Sequence, residues 1–303
     1  MKKDIKNIAV SVRNKLINIA EKEQKDYNAI LRLYFQERFL YRLSVSPYKN
    51  KLILKGALLL MAKDINRFRP TRDIDFLGKA LSNEIGDCKA IVSEIADIDV
   101  NDGVIFVKDK IIAERIKEEA DYSGVRIHIP YKMDTITGNI SIDIGFGDKI
   151  VNGPKEVGFP AILNQEQRPL IMAYSFESAI AEKFEAIVKL NILTSRMKDF
   201  YDIFFLASNI SFKSKIIKEA LETTFLTRGT QIEDRAIIYE NEFKHDTVKN
   251  TQWNIFLSKN RIELEISFAQ VIERLQNFVE PLLSNSSTMS WNHSRWQWEI
   301  DKL

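Results

Sequence analysis

The sequence predicts an α+β protein: a small mixed sheet with helices, followed by a mainly helical domain. Three observations carry that expectation. Apolar residues recur at helical spacing through residues 4–44, two cleanly alternating runs occupy 125–129 and 140–146, and from Ser175 onward the pattern is mostly helical. The two domains are expected at 1–165 and 166–303, because residues 148–170 hold Gly153-Pro154, Pro160 and Pro169 with little periodicity.

In the N-terminal region Val12, Leu16 and Ile19 share a helical face, as do Tyr27, Leu31 and Tyr34, then Phe39 and Leu43. Ser46-Pro47 ends it, since the residue before proline is biased away from the helical basin. Leu52-Ile53-Leu54 reads as a buried strand running into Lys55-Gly56, and Ala57 to Lys63 as a helix directly after the glycine. Thr71 to Leu77 reads as the next strand and residues 83–97 as an amphipathic helix. Strand-like runs follow around Val104–Val107, Val125–Ile129 and Ile140–Phe146, with a turn expected at Thr137-Gly138-Asn139. Beyond Ser175, helices are expected through Phe205 and around 213–225, 234–244 and 266–283. The polar tail holds Trp291, Trp296 and Trp298, which could stack on bases but are expected to pack on their own domain.

Composition narrows the function classes. With 45% hydrophobic and 28% charged residues, the chain matches ordinary globular proteins. No apolar run approaches the roughly 20 residues of a membrane helix, and the basic opening has no apolar segment of the kind a signal peptide needs. A single cysteine, Cys88, excludes a disulfide framework within the chain and fits a reducing cytoplasm. The net charge of +2 points to no partner. Residues 1–50, with eleven Lys/Arg against five Asp/Glu, could meet a phosphate backbone or simply form a solvated helical surface.

The sharpest local signal is Thr71-Arg72-Asp73-Ile74-Asp75-Phe76. Side chains alternate along a strand, so Asp73 and Asp75 share one face while Ile74 and Phe76 point to the core. Two adjacent carboxylates repel unless a cation or water offsets them. Mg²⁺ takes oxygen ligands of this kind, together with substrate phosphates. Upstream, Lys55-Gly56 opens a helix, where backbone N–H groups attract anions and glycine allows close approach. Downstream, Asp143 lies on the polar face of its strand, and a third carboxylate would complete a two-metal site. Arg69 and Arg72 are phosphate ligands or simple counter-charges.

A second cluster spans AEKFEAIVKL and RMKDFYDIFFL. Lys183 sits among apolar neighbours, within reach of a triphosphate. Asp199 and Asp202 are three apart on one helix and therefore adjacent, with Arg196 and Lys198 nearby. Surface ion pairing is the competing reading for each. Other chemistries lack their parts: His128, His245 and His293 have no metal-ligand spacing, and there is no P-loop and no G-x-G-x-x-G.

Taken together, ERFLYRLSVSPYKNKLILKGALLL, RPTRDIDFLG, ISIDIGFGD, YSFESAIAEKFEAIVKL and SRMKDFYDIFFL resemble the AbiEii/AbiGii nucleotidyltransferase toxins over most of residues 8–206. The resemblance implies a polymerase-β-like core and transfer of a nucleoside monophosphate from an NTP. It implies the toxin half of a toxin–antitoxin pair, with a separate antitoxin protein, and an RNA acceptor, transfer RNA above all, whose modification blocks translation. By motif position it makes Gly56 the phosphate-loop glycine; Lys55, Thr71 and Arg72 near it are the residues expected to add nucleotide contacts. It makes Asp73 and Asp75 the Mg²⁺ pair, Asp143 the expected third carboxylate, Lys183 the triphosphate lysine and Asp199 the acidic residue of the K-D-x-x-D motif. One departure stands out: Gly56-Ala57 replaces the Gly-Ser common in such loops, so a hydroxyl contact to phosphate is absent.

Two rivals remain open from the sequence: nucleotide transfer to a protein side chain, and a non-catalytic binding module that keeps the fold. Label from an α-³²P nucleotide, appearing in RNA, in protein or nowhere, separates them.

Overall fold

The computed structural model describes residues 2–62, 71–117, 123–163, 167–284 and 287–301. The chain forms two compact units, one of Met1–Gly147 with Pro154–Tyr174, the other of Asp148–Gly153 with Ser175–Leu303.

The first unit contains α1 (Lys2–Lys22), α2 (Tyr27–Ser44), β1 (Leu52–Lys55), α3 (Gly56–Met61), β2 (Asp73–Gly78), α4 (Ile85–Ala96), β3 (Ile105–Phe106), β4 (Ile112–Lys117), β5 (Ser123–Met133), β6 (Ile136–Gly145), β7 (Lys155–Gly158) and β8 (Leu170–Ala173). The strands form one mixed sheet in the order β3-β5-β6-β2-β1-β8-β7, with β4 also pairing β5. The α+β expectation therefore holds. Strands β7 and β8 pair antiparallel inside the stretch read from sequence as a connection, and β8 pairs parallel with β1. That pairing carries the first unit on to Tyr174.

The sheet has two different faces, and alternation creates them. Ile74 and Phe76 on β2, Val125, Ile127 and Ile129 on β5, and Ile140, Ile142 and Ile144 on β6 are all fully buried. Helix α2 covers this face: Phe35 stacks on Tyr131 with ring centroids 3.6 Å apart. Asp26 caps α2 by accepting from the Ala29 N–H at 2.8 Å. The opposite face carries the polar residues of β2, β5 and β6.

The β5–β6 hairpin turns at Asp134-Thr135, with Met133 opposite Ile136, not at Thr137-Gly138-Asn139. Asp134 takes the left-handed conformation with φ 53°, which aspartate tolerates better than most residues. Gly138 serves another purpose: it faces Tyr131, and a Cβ there would lie 2.4 Å from the tyrosine hydroxyl.

The second unit contains α5 (Phe176–Leu190), α6 (Met197–Asn209), α7 (Ser214–Arg228), α8 (Asn241–Lys244), α9 (Thr247–Lys259), α10 (Phe268–Ser284), β9 (Met289–Asn292) and β10 (Gln297–Ile300). It is the expected helical unit, closed by a β9–β10 hairpin. The tail tryptophans are packing residues. Trp291 donates to the Ala207 carbonyl at 2.7 Å and Trp298 to that of Phe278 at 2.8 Å. No helix among the described residues is long and apolar enough to cross a membrane.

Three arginines of the basic N-terminal region, Arg13, Arg38 and Arg42, have protein partners. Arg42 is buried and uses all five N–H groups: two on Asp102 at 2.8 and 3.0 Å, and one each on the carbonyls of Ile98, Val104 and Arg38. Arg38 is buried against Glu37, and Arg13 pairs with Asp134 at 3.0 Å. As phosphate contacts Arg38 and Arg42 are thus ruled out by burial. Arg42→Ala strands a buried carboxylate and is expected to lower stability by about 3–5 kcal/mol, whereas Arg13→Ala, at a partly exposed pair, should cost no more than about 1 kcal/mol. Chemical denaturation measures both, and equal losses would contradict the assignment.

Candidate active site

Sheet register assembles the first group of residues. Lys55 on β1 lies opposite Asp75 on β2, Asp75 lies beside Asp143 on β6, and Asp143 lies opposite Arg126 on β5. Glu114 on β4 extends the row beyond Arg126. Residues in register share a face, so five charged side chains cross five neighbouring strands in one line. The next row runs Asp73, Ser141, His128. Here the His128 Nδ1 and the Ser141 hydroxyl are 3.0 Å apart.

The start of α3 approaches this row closely. Gly56 has φ 68°, and a Cβ built on it would fall 1.9 Å from Asp75 Oδ2. Only a residue without a side chain lets that carboxylate lie against the β1–α3 turn. Lys55 reaches over the same face: a Cβ on Gly145 of β6 would lie 3.7 Å from its Nζ. Its ammonium is also 5.8 Å from the Tyr174 ring centre. Thr71 accepts a weak contact through its carbonyl from Gln36, and its hydroxyl donates to the Asp73 carbonyl at 3.3 Å. Arg72 is exposed. Arg69 lies outside the described residues.

Arg126 is the member that sequence reading missed. It grips Asp143 with two parallel bonds, Nε to Oδ1 at 2.8 Å and Nη2 to Oδ2 at 2.6 Å. The hydrogen bond to Asp143 above all raises the guanidinium's pKa still further, against the opposing effect of burial, with Asp73 and Glu114 adding smaller contributions. The available signal was its position: Arg126 alternates with Val125 and Ile127 on the polar face of β5. The partner strand and its register are not written in that segment.

The donor chemistry suits a hard divalent cation. Asp73 and Asp75 offer oxygens from one face of one strand, and Asp143 offers more from the adjacent strand. As they stand, no three His, Cys, Asp or Glu residues among the described ones are grouped to hold a metal ion. The Asp143 carboxylate is engaged by Arg126 instead.

The second group lies in the second unit. Lys183 on α5 donates to Asp199 at 3.2 Å and to Asp202 at 2.7 Å, both on α6. Both carboxylates are buried, and Arg196 also binds Asp199. Burial alone would raise the Asp199 pKa, but the charges of Lys183, Arg196 and Lys198 outweigh it and hold the carboxyl below its ordinary value. Lys183 is therefore held in place by two carboxylates of the facing helix. A neighbouring network ties Arg228 of α7 to Asp148, Glu182 and Glu185 at 2.9, 3.2 and 2.9 Å.

Two glycine substitutions check the contact between Gly56 and Asp75. Gly56→Ala should destabilise by more than about 1 kcal/mol, because both φ and the carboxylate oppose a methyl group. Gly86→Ala, on helix α4 with nothing within 4 Å of the added Cβ, should instead stabilise by roughly 0.5–1 kcal/mol. Denaturant unfolding of the two variants decides it, and a neutral Gly56→Ala would remove the close approach from the account.

Comparison with known proteins places this chain in a family. The model of the nucleotidyl transferase AbiEii toxin family, from type IV toxin–antitoxin systems, matches residues 38–277. No curated protein matches the chain. Among solved structures, a candidate nucleotidyltransferase from H. pylori aligns at 16% identity and TM-score 0.40, over 82% of this chain and 96% of that one. JHP933 from Helicobacter pylori aligns at 12% identity and TM-score 0.39, over 86% and 99%. Likenesses that loose carry no argument about substrate. The family match spans most of the sequence, and the chain belongs to the AbiEii nucleotidyl transferase toxins.

Proposed function

We propose that this AbiEii-family nucleotidyltransferase transfers a nucleoside monophosphate from an NTP to an RNA acceptor, with transfer RNA favoured, and so blocks translation. The observation that carries the reading is the row on the polar face of the sheet: Asp75 beside Asp143, with Asp73 two residues earlier and the Gly56 turn against Asp75. Family membership supports the reaction class and implies a cognate antitoxin.

In the proposed reaction an acceptor hydroxyl oxygen attacks the α-phosphorus in line. A new P–O bond forms, the bond to the β-phosphate oxygen breaks, pyrophosphate leaves, and the hydroxyl proton is lost. Mg²⁺ held by Asp73 and Asp75, with Asp143 as the third donor, would neutralise charge on the phosphates and acidify the attacking hydroxyl. Gly56 leaves room for phosphate beside the carboxylates, with Lys55, Thr71 and Arg72 as contacts around it. Lys183 is assigned the triphosphate from its place in the family motif. Asp199 and Asp202 fix the position of its Nζ.

The RNA acceptor draws less support from charge than the sequence suggested, because Arg13, Arg38 and Arg42 already have protein partners. It rests on the family reading.

Purified protein incubated with total RNA, Mg²⁺ and each α-³²P triphosphate in turn should place label in the transfer RNA fraction. Asp73→Asn and Asp75→Asn should each abolish labelling while keeping wild-type unfolding temperature or better, since repulsion is relieved. Label in protein rather than RNA would move the acceptor to a side chain. Wild-type labelling by either variant would remove the aspartates from the chemistry.

A further inference from the structure

We infer that Arg126 is a positioning residue that competes with a divalent cation for Asp143, so that cation and triphosphate enter the site by exchanging partners with a resident ion pair. This rests on the nucleotidyltransferase reading of the aspartate row.

The argument starts from the register. Asp75 and Asp143 are neighbours on parallel strands, and like charges so placed repel. The sheet answers with a cation beyond each: Lys55 opposite Asp75 and Arg126 opposite Asp143. Arginine cannot lose its proton in a protein, so this compensation is permanent. Its fork meets the carboxylate through two bonds of 2.8 and 2.6 Å, the strong bidentate form.

With Asp73 and Glu114 included, four carboxylates share this face with two cations, and Arg126 stands between Asp143 and Glu114. A lone divalent cation therefore meets a site whose third carboxylate is already engaged by Arg126. A triphosphate changes the balance. It offers the guanidinium a new anion, while the cation offers Asp143 a new partner. The exchange conserves ion pairs only when both arrive. Arg126 is 38% exposed at its side chain, against 17% for Asp143, so the guanidinium is the member free to turn toward an incoming phosphate.

The test is Mn²⁺ binding to the full chain, followed by electron paramagnetic resonance, with and without α,β-methylene triphosphates, which resist cleavage at the reacting bond. Without nucleotide, Arg126→Gln should bind Mn²⁺ about tenfold tighter than wild type or more, because a charge-assisted pair no longer has to be given up. The analogue should tighten Mn²⁺ binding in wild type and do so far less in Arg126→Gln. Equal Mn²⁺ affinity in wild type and Arg126→Gln overturns the proposal. If circular dichroism shows Arg126→Gln unfolded, Arg126→Lys carries the test: it keeps the charge and loses the fork, so a smaller gain is expected and no gain is the overturning result. Adding Asp73→Asn to the Arg126 variant should abolish binding. An Mn²⁺ signal that survives it would place the cation elsewhere and sink the site reading itself, a result distinct from unchanged affinity in the single variant.

Discussion

The parallel pairing of β2 with β6 sets Asp75 directly beside Asp143, and much of the first unit follows from accommodating that pair. Neighbouring strands lie roughly 5 Å apart. Two like charges at that separation repel by on the order of 3 kcal/mol at the intermediate dielectric of a protein surface. A hydrogen bond to a charged group returns about 1.5–3 kcal/mol. The bidentate Arg126 is therefore enough to offset the repulsion, and Lys55 on the other flank adds to it. The apolar face beneath fixes the geometry: a one-residue slip of β6 would carry Ile142 and Ile144 out of the core. The hydrophobic side of the sheet thus holds the carboxylates together against their own electrostatics.

The same logic governs the second unit. Lys183 stands between two buried carboxylates, so its removal would take a countercharge from both. Arg42 with Asp102 repeats the device in the first unit, as pure structure. Arg42 is consumed by five protein acceptors and has no N–H left for a substrate.

How much was legible in the sequence depended on whether the signal was local. Alternation around Asp73 and Asp143 revealed both strands and the shared face of Asp73 and Asp75, because period two is written in consecutive residues. Arg126 was not visible as a site residue, since its meaning comes from register with Asp143 across a hairpin. The hairpin itself was misplaced. Gly138 reads as a turn residue, yet its missing side chain makes room for Tyr131. Strands β7 and β8 are four residues each, too short to show a period among prolines. Helix α9 was passed over because only Lys249, Trp253 and Leu257 are buried along it, a narrow stripe in a polar segment.

The central claim is that the aspartate face of the sheet receives the metal–nucleotide substrate. The most direct measurement is anomalous diffraction from crystals soaked with Mn²⁺ and an α,β-methylene triphosphate. The account predicts an anomalous peak at coordination distance, about 2.0–2.2 Å for hard divalent ions, from carboxylate oxygens of Asp73 and Asp75, with the triphosphate beside Gly56. Ordered nucleotide elsewhere, with no peak at those carboxylates, would contradict it.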